Sequence, residues 1–302
     1  MRSALLALLL IAATFVDGGP GARAGDVKRT TAILVDKSTN TLKLTEYVDG
    51  VYQPLLTFHA TMGKVKGDKD NEGDLKTPEG IYTFKAKLLP PSLKKKFGVM
   101  AFYMNYPNSY DEMAGRTGFD IMLHATDDPQ RLVHNFDSEG CVVLKNEELV
   151  QVATKIRLGL TPILVFPEMP VDKLAEYMRP GVSGGGLKEF FESWIAGWES
   201  RDVDRYVSHY HSDFKGNGLD LAGWKAYKGN LTRQYATITV GPEDAKYYRH
   251  PKYSMITFTQ NYRSKRKGGG WGHRSRGTKI LYVAEEAGKP KIIAENYTTL
   301  MW

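Results

Sequence analysis

The chain's single cysteine closes the stretch HATDDPQRLVHNFDSEGC, residues 124–141, and two histidines, His124 and His134, precede it there. A thiol becomes a nucleophile when a base or a positive environment favours its thiolate, so a histidine delivered close to Cys141 would supply acyl-transfer chemistry. Gly140 stands directly before the cysteine. A glycine there permits a tight turn whose backbone N–H groups can face a developing oxyanion. The competing reading is a structural thiol, because a free cysteine also fills cores as a small apolar side chain. Spacing and residue type leave both readings open.

Other residues that could do chemistry carry blander alternatives. His134 sits in a polar loop, where a solvated imidazole is the expectation rather than a second base. His209 and His211 are two apart on a predicted helix, which suits no zinc geometry, so no metal site is assigned. Asp127 and Asp128 could meet a substrate amine or simply polarise a turn. RSKRKGGGWGHRSR, residues 263–276, holds six Lys/Arg around a glycine hinge and Trp271. It reads either as a flexible hairpin tip or as a contact to anionic envelope material.

The elements that must position these residues are mostly strands in the first half. TAILVDK, TLKLTEYV and YQPLLTFHA are β-branched and aromatic, separated by the hairpin residues STN and DG. IYTFKAKL, DIMLHA, CVVL and TPILVF continue the pattern, so DIMLHA delivers His124 at a strand end and Gly140-Cys141 opens the next strand. NEELVQVATKIRLG has helical spacing, with Asn146 as its expected cap. The KKK of LPPSLKKKFG is expected to be a solvated face. PEMPVDKLAEYMRPGVSGGG has three prolines and a triple glycine and marks a linker, residues 169–186. Beyond it, Leu187, Phe190, Phe191, Trp194, Ile195 and Trp198 form a helical core stripe, and a shorter helix carries Val203, Tyr206, Val207 and Tyr210. YATITV, YSMITFTQNYR, TKILYVAE and KIIAENYT then form an antiparallel sheet, giving an α+β unit over residues 187–302.

Length and charge support two units. Residues 4–16 are an apolar run after Arg2, and Ala22-Arg23-Ala24 offers small residues for cleavage before Gly25, so residues 1–24 are expected to be a signal peptide. The alternative, an uncleaved anchor, requires about 20 apolar residues, and this run is shorter. The mature protein is then exported and soluble. One cysteine cannot form a disulfide within the chain, and a free thiol in an oxidising compartment is either buried or chemically useful. Residues 25–168 hold 18 Lys+Arg against 19 Asp+Glu, whereas residues 187–302 hold 19 against 12. The basic character therefore belongs to the second unit, which points to different partners for the two halves.

A histidine, a loop of this length and then Ser-x-Gly-Cys resembles the signature of the YkuD-type L,D-transpeptidase catalytic domain. It reads here as His124, Ser138, Glu139, Gly140 and Cys141. The upstream TPEGIY, residues 77–82, is similar to that family's TPxGxY/F segment, and the resemblance spans roughly residues 30–168. The order His before Cys excludes papain-like enzymes. NYPNSYDEMAGRTG, residues 105–118, resembles the branch that includes the YafK amidase and the helical-shape carboxypeptidases of curved bacteria, in which a nuclear transport factor 2-like domain follows. The resemblance implies a mostly β, sandwich-like catalytic domain with short helices over residues 25–168, followed by a cone-shaped α+β domain. It also implies a periplasmic enzyme of peptidoglycan remodelling that needs no cofactor and acts on stem peptides; nucleic acid is not expected as a partner.

The resemblance also assigns roles. Cys141 would attack the carbonyl of the L-centre of meso-diaminopimelate in a tetrapeptide stem and expel D-alanine. His124 would be base and then acid, oriented by the backbone carbonyl of Ala125. The Gly140 and Cys141 N–H groups would bind the oxyanion, and Ser138 would shape the loop. This chain departs from the family at Glu139, where histidine or aspartate is common, and at Val143, where many members place an arginine for a substrate carboxylate. Arg116 is the candidate replacement, the alternative being that it serves a surface ion pair. Water as acceptor gives a carboxypeptidase, a diaminopimelate amine gives a crosslink, and a lipoprotein amide gives an amidase. A non-catalytic wall-binding protein that attaches through its basic domain is the reading from another class. In either case the second unit is expected to tune delivery rather than chemistry.

Overall fold

The structure, a computed structural model, describes residues 29–48, 51–174 and 186–299. The signal-peptide expectation and the middle of the linker lie outside the described residues.

The first unit is built on ten strands: β1 (Arg29–Asp36), β2 (Thr41–Val48), β3 (Val51–His59), β4 (Met62–Gly63), β5 (Gly80–Leu88), β6 (Ala101–Met104), β7 (Met122–His124), β8 (Phe136–Ser138), β9 (Val142–Val143) and β10 (Pro162–Phe166). Eight of them form one curled sheet in the order β3-β2-β1-β10-β5-β6-β7-β9, and β4 pairs with β8 beside it. The expected sandwich is thus realised as a single sheet that curls over its own core. Short helices α1 (Ser109–Met113) and α2 (Asn146–Ala153) complete the unit. Asn146 does not cap α2. Its side chain accepts from the Val99 N–H at 3.0 Å, while Glu148 reaches back to the Lys145 N–H at 3.1 Å. Asn146 therefore ties the KKKFG loop to the helix.

The central strands explain their own sequences. Ile33, Val35, Ile163 and Val165 face the unit's internal core. Ala32, Leu34, Leu164 and Phe166 face the other way and are equally buried, against Tyr248, Tyr253, Met255, Tyr282 and Ile293 of the second unit. A strand covered on both faces needs apolar residues at every position, which is why TAILV and PILVF show no alternation.

The second unit has helices α3 (Leu187–Ser200), α4 (Val203–Val207) and α5 (Leu221–Gln234) and a six-stranded sheet. The sheet runs in the order β12 (Leu219–Asp220), β11 (Tyr210–Gly216), β16 (Lys289–Thr299), β15 (Trp271–Glu286), β14 (Ser254–Arg266) and β13 (Tyr235–Arg249). The aromatic stripe of α3 is core: Phe191, Trp194 and Trp198 pack with Tyr206, Phe258 and Tyr262. Two expectations need correction. Tyr210 begins a strand instead of ending a helix, and α5 was not anticipated. Helix α5 buries only Trp224 and Lys228 and carries glycines at 223 and 229, so it shows too weak an apolar period to be read.

The two units meet back to back through polar contacts as well as the shared apolar layer. The Tyr253 hydroxyl accepts from the Ile81 N–H at 2.8 Å and the Asn108 amide at 2.9 Å, and donates to the Ile81 carbonyl at 2.9 Å. Lys252 pairs with Asp68 and donates to the Glu79 carbonyl at 2.6 Å. His250 contacts the Val165 carbonyl at 2.9 Å and stacks on Phe166. The start of the predicted linker belongs to this layer, with Met169 and Leu174 buried in it.

Candidate active site

Strands β7 and β9 run parallel with Leu123 opposite Val142 and His124 opposite Val143. Side chains alternate along strands, so Met122, His124 and Cys141 share the face opposite to Leu123 and Val142. That face opens on a cleft of about 570 Å³ whose walls include His124, Ser138, Glu139 and Cys141. The parallel pairing therefore joins the histidine and the thiol that the sequence separates by a loop.

His124 is nearly fully buried, and its Nδ1 lies 2.5 Å from the Ala125 carbonyl. A carbonyl only accepts, so Nδ1 carries the ring proton and Nε2 is the basic nitrogen. Phe97 meets the ring edge-on with centroids 4.8 Å apart. Burial lowers the imidazole pKa to about 4, against a smaller opposing effect of the Ala125 contact. Burial likewise pushes the Cys141 thiol up to about 11, although the Met122 N–H and the charge of Arg131 favour the thiolate. The thiol rests against the Asp120 carbonyl, 3.7 Å from Sγ. The resting site is a neutral thiol beside a neutral base.

The Cys141 loop is held from below. Ser138 Oγ donates to the Cys141 carbonyl at 2.6 Å and accepts from the Gly140 N–H at 3.1 Å. The expected oxyanion donor Gly140 is therefore engaged by Ser138 in the resting state. Gly140 has φ +125°, and a Cβ there would lie 2.7 Å from the Lys76 carbonyl, so both conformation and space demand glycine. The Thr77 hydroxyl accepts from the Gly63 N–H at 2.9 Å, and Lys64 N–H bonds the Ser138 carbonyl at 2.9 Å. Glu79 forms a buried ion pair with Lys37 at 2.8 Å. The TPEGIY segment is thus the floor of the Cys141 loop.

The remaining expected site residues fall elsewhere. Arg116 does not line the cleft; it is mostly buried and pairs with Asp68 at 2.7 Å, Asp111 at 3.1 Å and Asp70 at 3.7 Å. Desolvation holds such a guanidinium inside only among carboxylates, and here three supply that compensation. Asp128 caps the short turn at Pro129–Val133 by accepting from the Gln130 N–H, and neither it nor Asp127 lines the cleft. His134 is exposed. His209 contacts the Arg205 carbonyl and Ser193.

The cleft's cations were missed by sequence reasoning. Arg131 lines it, fixed by Asp137 through Nε to the carboxylate and a second N–H to the carbonyl, both at 2.9 Å. Lys64, Lys94 and Lys96 line it too, so part of the KKK run is a wall of the site. Tyr103 and the exposed Phe119 add aromatic surface. Only the position of Arg131 inside the His124–Cys141 loop could have signalled its role.

Comparison with known proteins follows the same division. Residues 30–165 match the family model described as the L,D-transpeptidase catalytic domain, and residues 186–296 match that of the Cds6 C-terminal NTF2-like domain. The chain is similar to the Bdellovibrio bacteriovorus protein Bd1075, with 31% identity over 90% of this chain and 93% of that one and a TM-score of 0.70. It shares its fold with the helical cell shape determining protein Pgp2 from Campylobacter jejuni, at 24% identity over 89% of this chain and 92% of that one, with a TM-score of 0.68. No curated protein matches the sequence.

Proposed function

Because the chain belongs to the YkuD L,D-transpeptidase family of peptidoglycan-related proteins, with a C-terminal NTF2-like domain, we propose that it is an exported cysteine enzyme that cleaves the meso-diaminopimelate–D-alanine bond of tetrapeptide stems. The observation that carries this reading is the pair in one cleft: His124 with Nδ1 committed to the Ala125 carbonyl, and Cys141 on the same face. A wall-binding protein without catalysis requires neither the oriented imidazole nor the glycine-backed thiol.

In this reading, Sγ attacks the carbonyl carbon at the L-centre while its proton passes to Nε2 of His124. A base held near pKa 4 and a thiol near 11 disfavour a preformed ion pair, so deprotonation accompanies attack. The C–N bond then breaks, and the imidazolium returns the proton to the departing D-alanine amine, leaving a thioester on Cys141. Water or an amine attacks the thioester with His124 again as base, giving a carboxypeptidase or a transpeptidase. The Gly140 N–H becomes free for the oxyanion if Ser138 Oγ turns to another partner. Arg131, with the cleft lysines, is the cation set that replaces the arginine absent at Val143 and meets the substrate's terminal carboxylate.

Cys141→Ser is expected to abolish release of D-alanine from purified tetrapeptide muropeptides with little change in melting temperature. His124→Ala should lower kcat/KM by roughly two to four orders of magnitude, the usual contribution of a positioned base. Mass spectrometry should find a carbapenem adduct on Cys141 in the wild type and none in Cys141→Ser. Retention of most activity by either variant would remove the assignment of the pair.

A further inference from the structure

The far end of the second sheet carries two arginines, Arg263 and Arg274, that meet no carboxylate among the described residues. In the β14–β15 ribbon, Arg263 lies directly opposite Arg274, and Asn261 lies opposite Arg276. Like charges directly opposite on a ladder are destabilising. Among the described residues, the ion pairs on this face stop at Arg276, which meets Glu243 at 2.8 Å. Arg263 and Arg274 are both exposed and border a groove of about 280 Å³ with Ser275 and Arg276.

A register shift sets the two-residue step from Arg263 to Lys265 against a three-residue step from Arg274 to Trp271, which turns Trp271 toward the face of Arg263 and Arg274. Ser264, which is buried, takes the His273 N–H at 2.8 Å, and Lys265 then pairs with Trp271. Bulges commonly redirect a side chain in this way. Trp271 is 53% exposed, with the Arg274 guanidinium 3.4 Å from its ring centroid and the Lys265 amine at 5.5 Å. One ring face is thus occupied by a guanidinium, while more than half of the Trp271 surface stays exposed and can enter an apolar boundary. Lys265, Arg266 and Lys267 continue the charge to a tip of three exposed glycines. Met255, at the domain interface, is eleven residues up β14, so the tip lies at most about 36 Å along the strand from that interface at about 3.3 Å per residue.

We infer that this face is a docking surface for an anionic phospholipid membrane, with a headgroup phosphate seated between Arg263 and Arg274 and Trp271 at the headgroup level. A phosphate brings the acceptor oxygens and the negative charge that two opposed guanidiniums lack, and indole rings favour the membrane boundary. Each cation near an anionic surface adds its own attraction, which salt weakens. This inference does not depend on the chemistry at Cys141.

The test uses the chain without residues 1–24, so that its apolar leader cannot itself enter the bilayer. Flotation with phosphatidylglycerol–phosphatidylcholine vesicles should recover the wild type, with recovery falling as salt rises, and pure phosphatidylcholine should not. The Arg263→Gln/Arg274→Gln variant should bind the anionic vesicles about 10-fold or more weakly, and Trp271→Ala should weaken binding in the same assay. The double glutamine variant should also melt at the same or a higher temperature, since it relieves a repulsion; lower stability would mean that the arginines serve the fold. Equal vesicle binding by wild type and the double variant would overturn the inference. So would capture by lipid-free sacculi with no capture by vesicles, and so would displacement of the protein from vesicles by millimolar inorganic phosphate alone.

Discussion

The resting ionisation of His124 and Cys141 has a consequence that kinetics can read. Both groups are shifted toward their neutral forms by burial, the imidazole to about 4 and the thiol to about 11. A lowered base pKa means that the competent unprotonated imidazole persists as pH falls, so the acid limb of kcat/KM should lie well below 6.5 and near 4. Alkylation of Cys141 by iodoacetamide should be slow at neutral pH and accelerate toward pH 11, because the thiolate is the reactive form. Alkylation that is already fast and independent of pH around neutrality would instead identify an imidazolium–thiolate pair, and an acid limb near 6.5 would mean an unshifted imidazole. At this scale one local motif carries His124, Ala125, Ser138 and Cys141, and the fold brings His124, Ser138 and Cys141 to one cleft with the Ala125 carbonyl on the imidazole. Which arginine lines that cleft was not legible: Arg116 and Arg131 are equally polar in sequence, and only the fold surrounds one with aspartates and opens the other to the cleft.

The segment from Lys76 to Ile81 links the two faces of the catalytic sheet. One end presses the Lys76 carbonyl toward Gly140, and the other meets the turn at His250–Tyr253. Gly80 has φ +151°, and a Cβ there would approach the Tyr253 hydroxyl to 2.8 Å. Gly80→Ala should therefore cost about 1–3 kcal/mol of stability through overpacking and backbone strain. Combined with Tyr253→Phe, the loss should be smaller than the sum of the two single losses, because the phenylalanine removes the clashing oxygen. Denaturant melts of the four proteins give the coupling, and simple additivity would mean that Tyr253 does not constrain this segment. His250 belongs to the same turn, and burial lowers its pKa to about 4. The folded state thus rejects a proton that the unfolded state accepts near 6.5, so this contact loses stability as pH falls from about 6.5 toward 4 and is unaffected above.

At the scale of the whole molecule, the second unit is a structural partner of the first. Leu34, Ile81, Leu164 and Phe166 on one sheet are covered by Tyr248, Tyr253, Met255 and Tyr282 on the other. A delivery module on a tether could be removed without effect on the thiol, as the sequence suggested. This layer argues otherwise. Excising residues 186–302 should expose a continuous apolar face, lower solubility and reduce Cys141 labelling by small electrophiles. Calorimetry of the full chain should show one cooperative transition, since neither sheet keeps its outer face dry alone. Two transitions, each matching an isolated unit, would restore the tethered picture.

The sequence by itself determined what short-range pattern can encode. The β-rich first unit, the aromatic core helix of the second, the break between them and the histidine–cysteine pair all rest on neighbours within a strand, a helix turn or one loop. Tertiary structure decided what depends on distant residues. Ile81 and Tyr253 are 172 positions apart, and no local period announces that one hydroxyl will serve both backbone groups of the other. The apolar runs in β1 and β10 are what a strand buried on both faces requires, yet what covers the second face is set by the other domain's curvature and packing. The Arg263–Arg274 opposition likewise follows from register, and a one-residue slip would have turned the side chains of one strand to the other face.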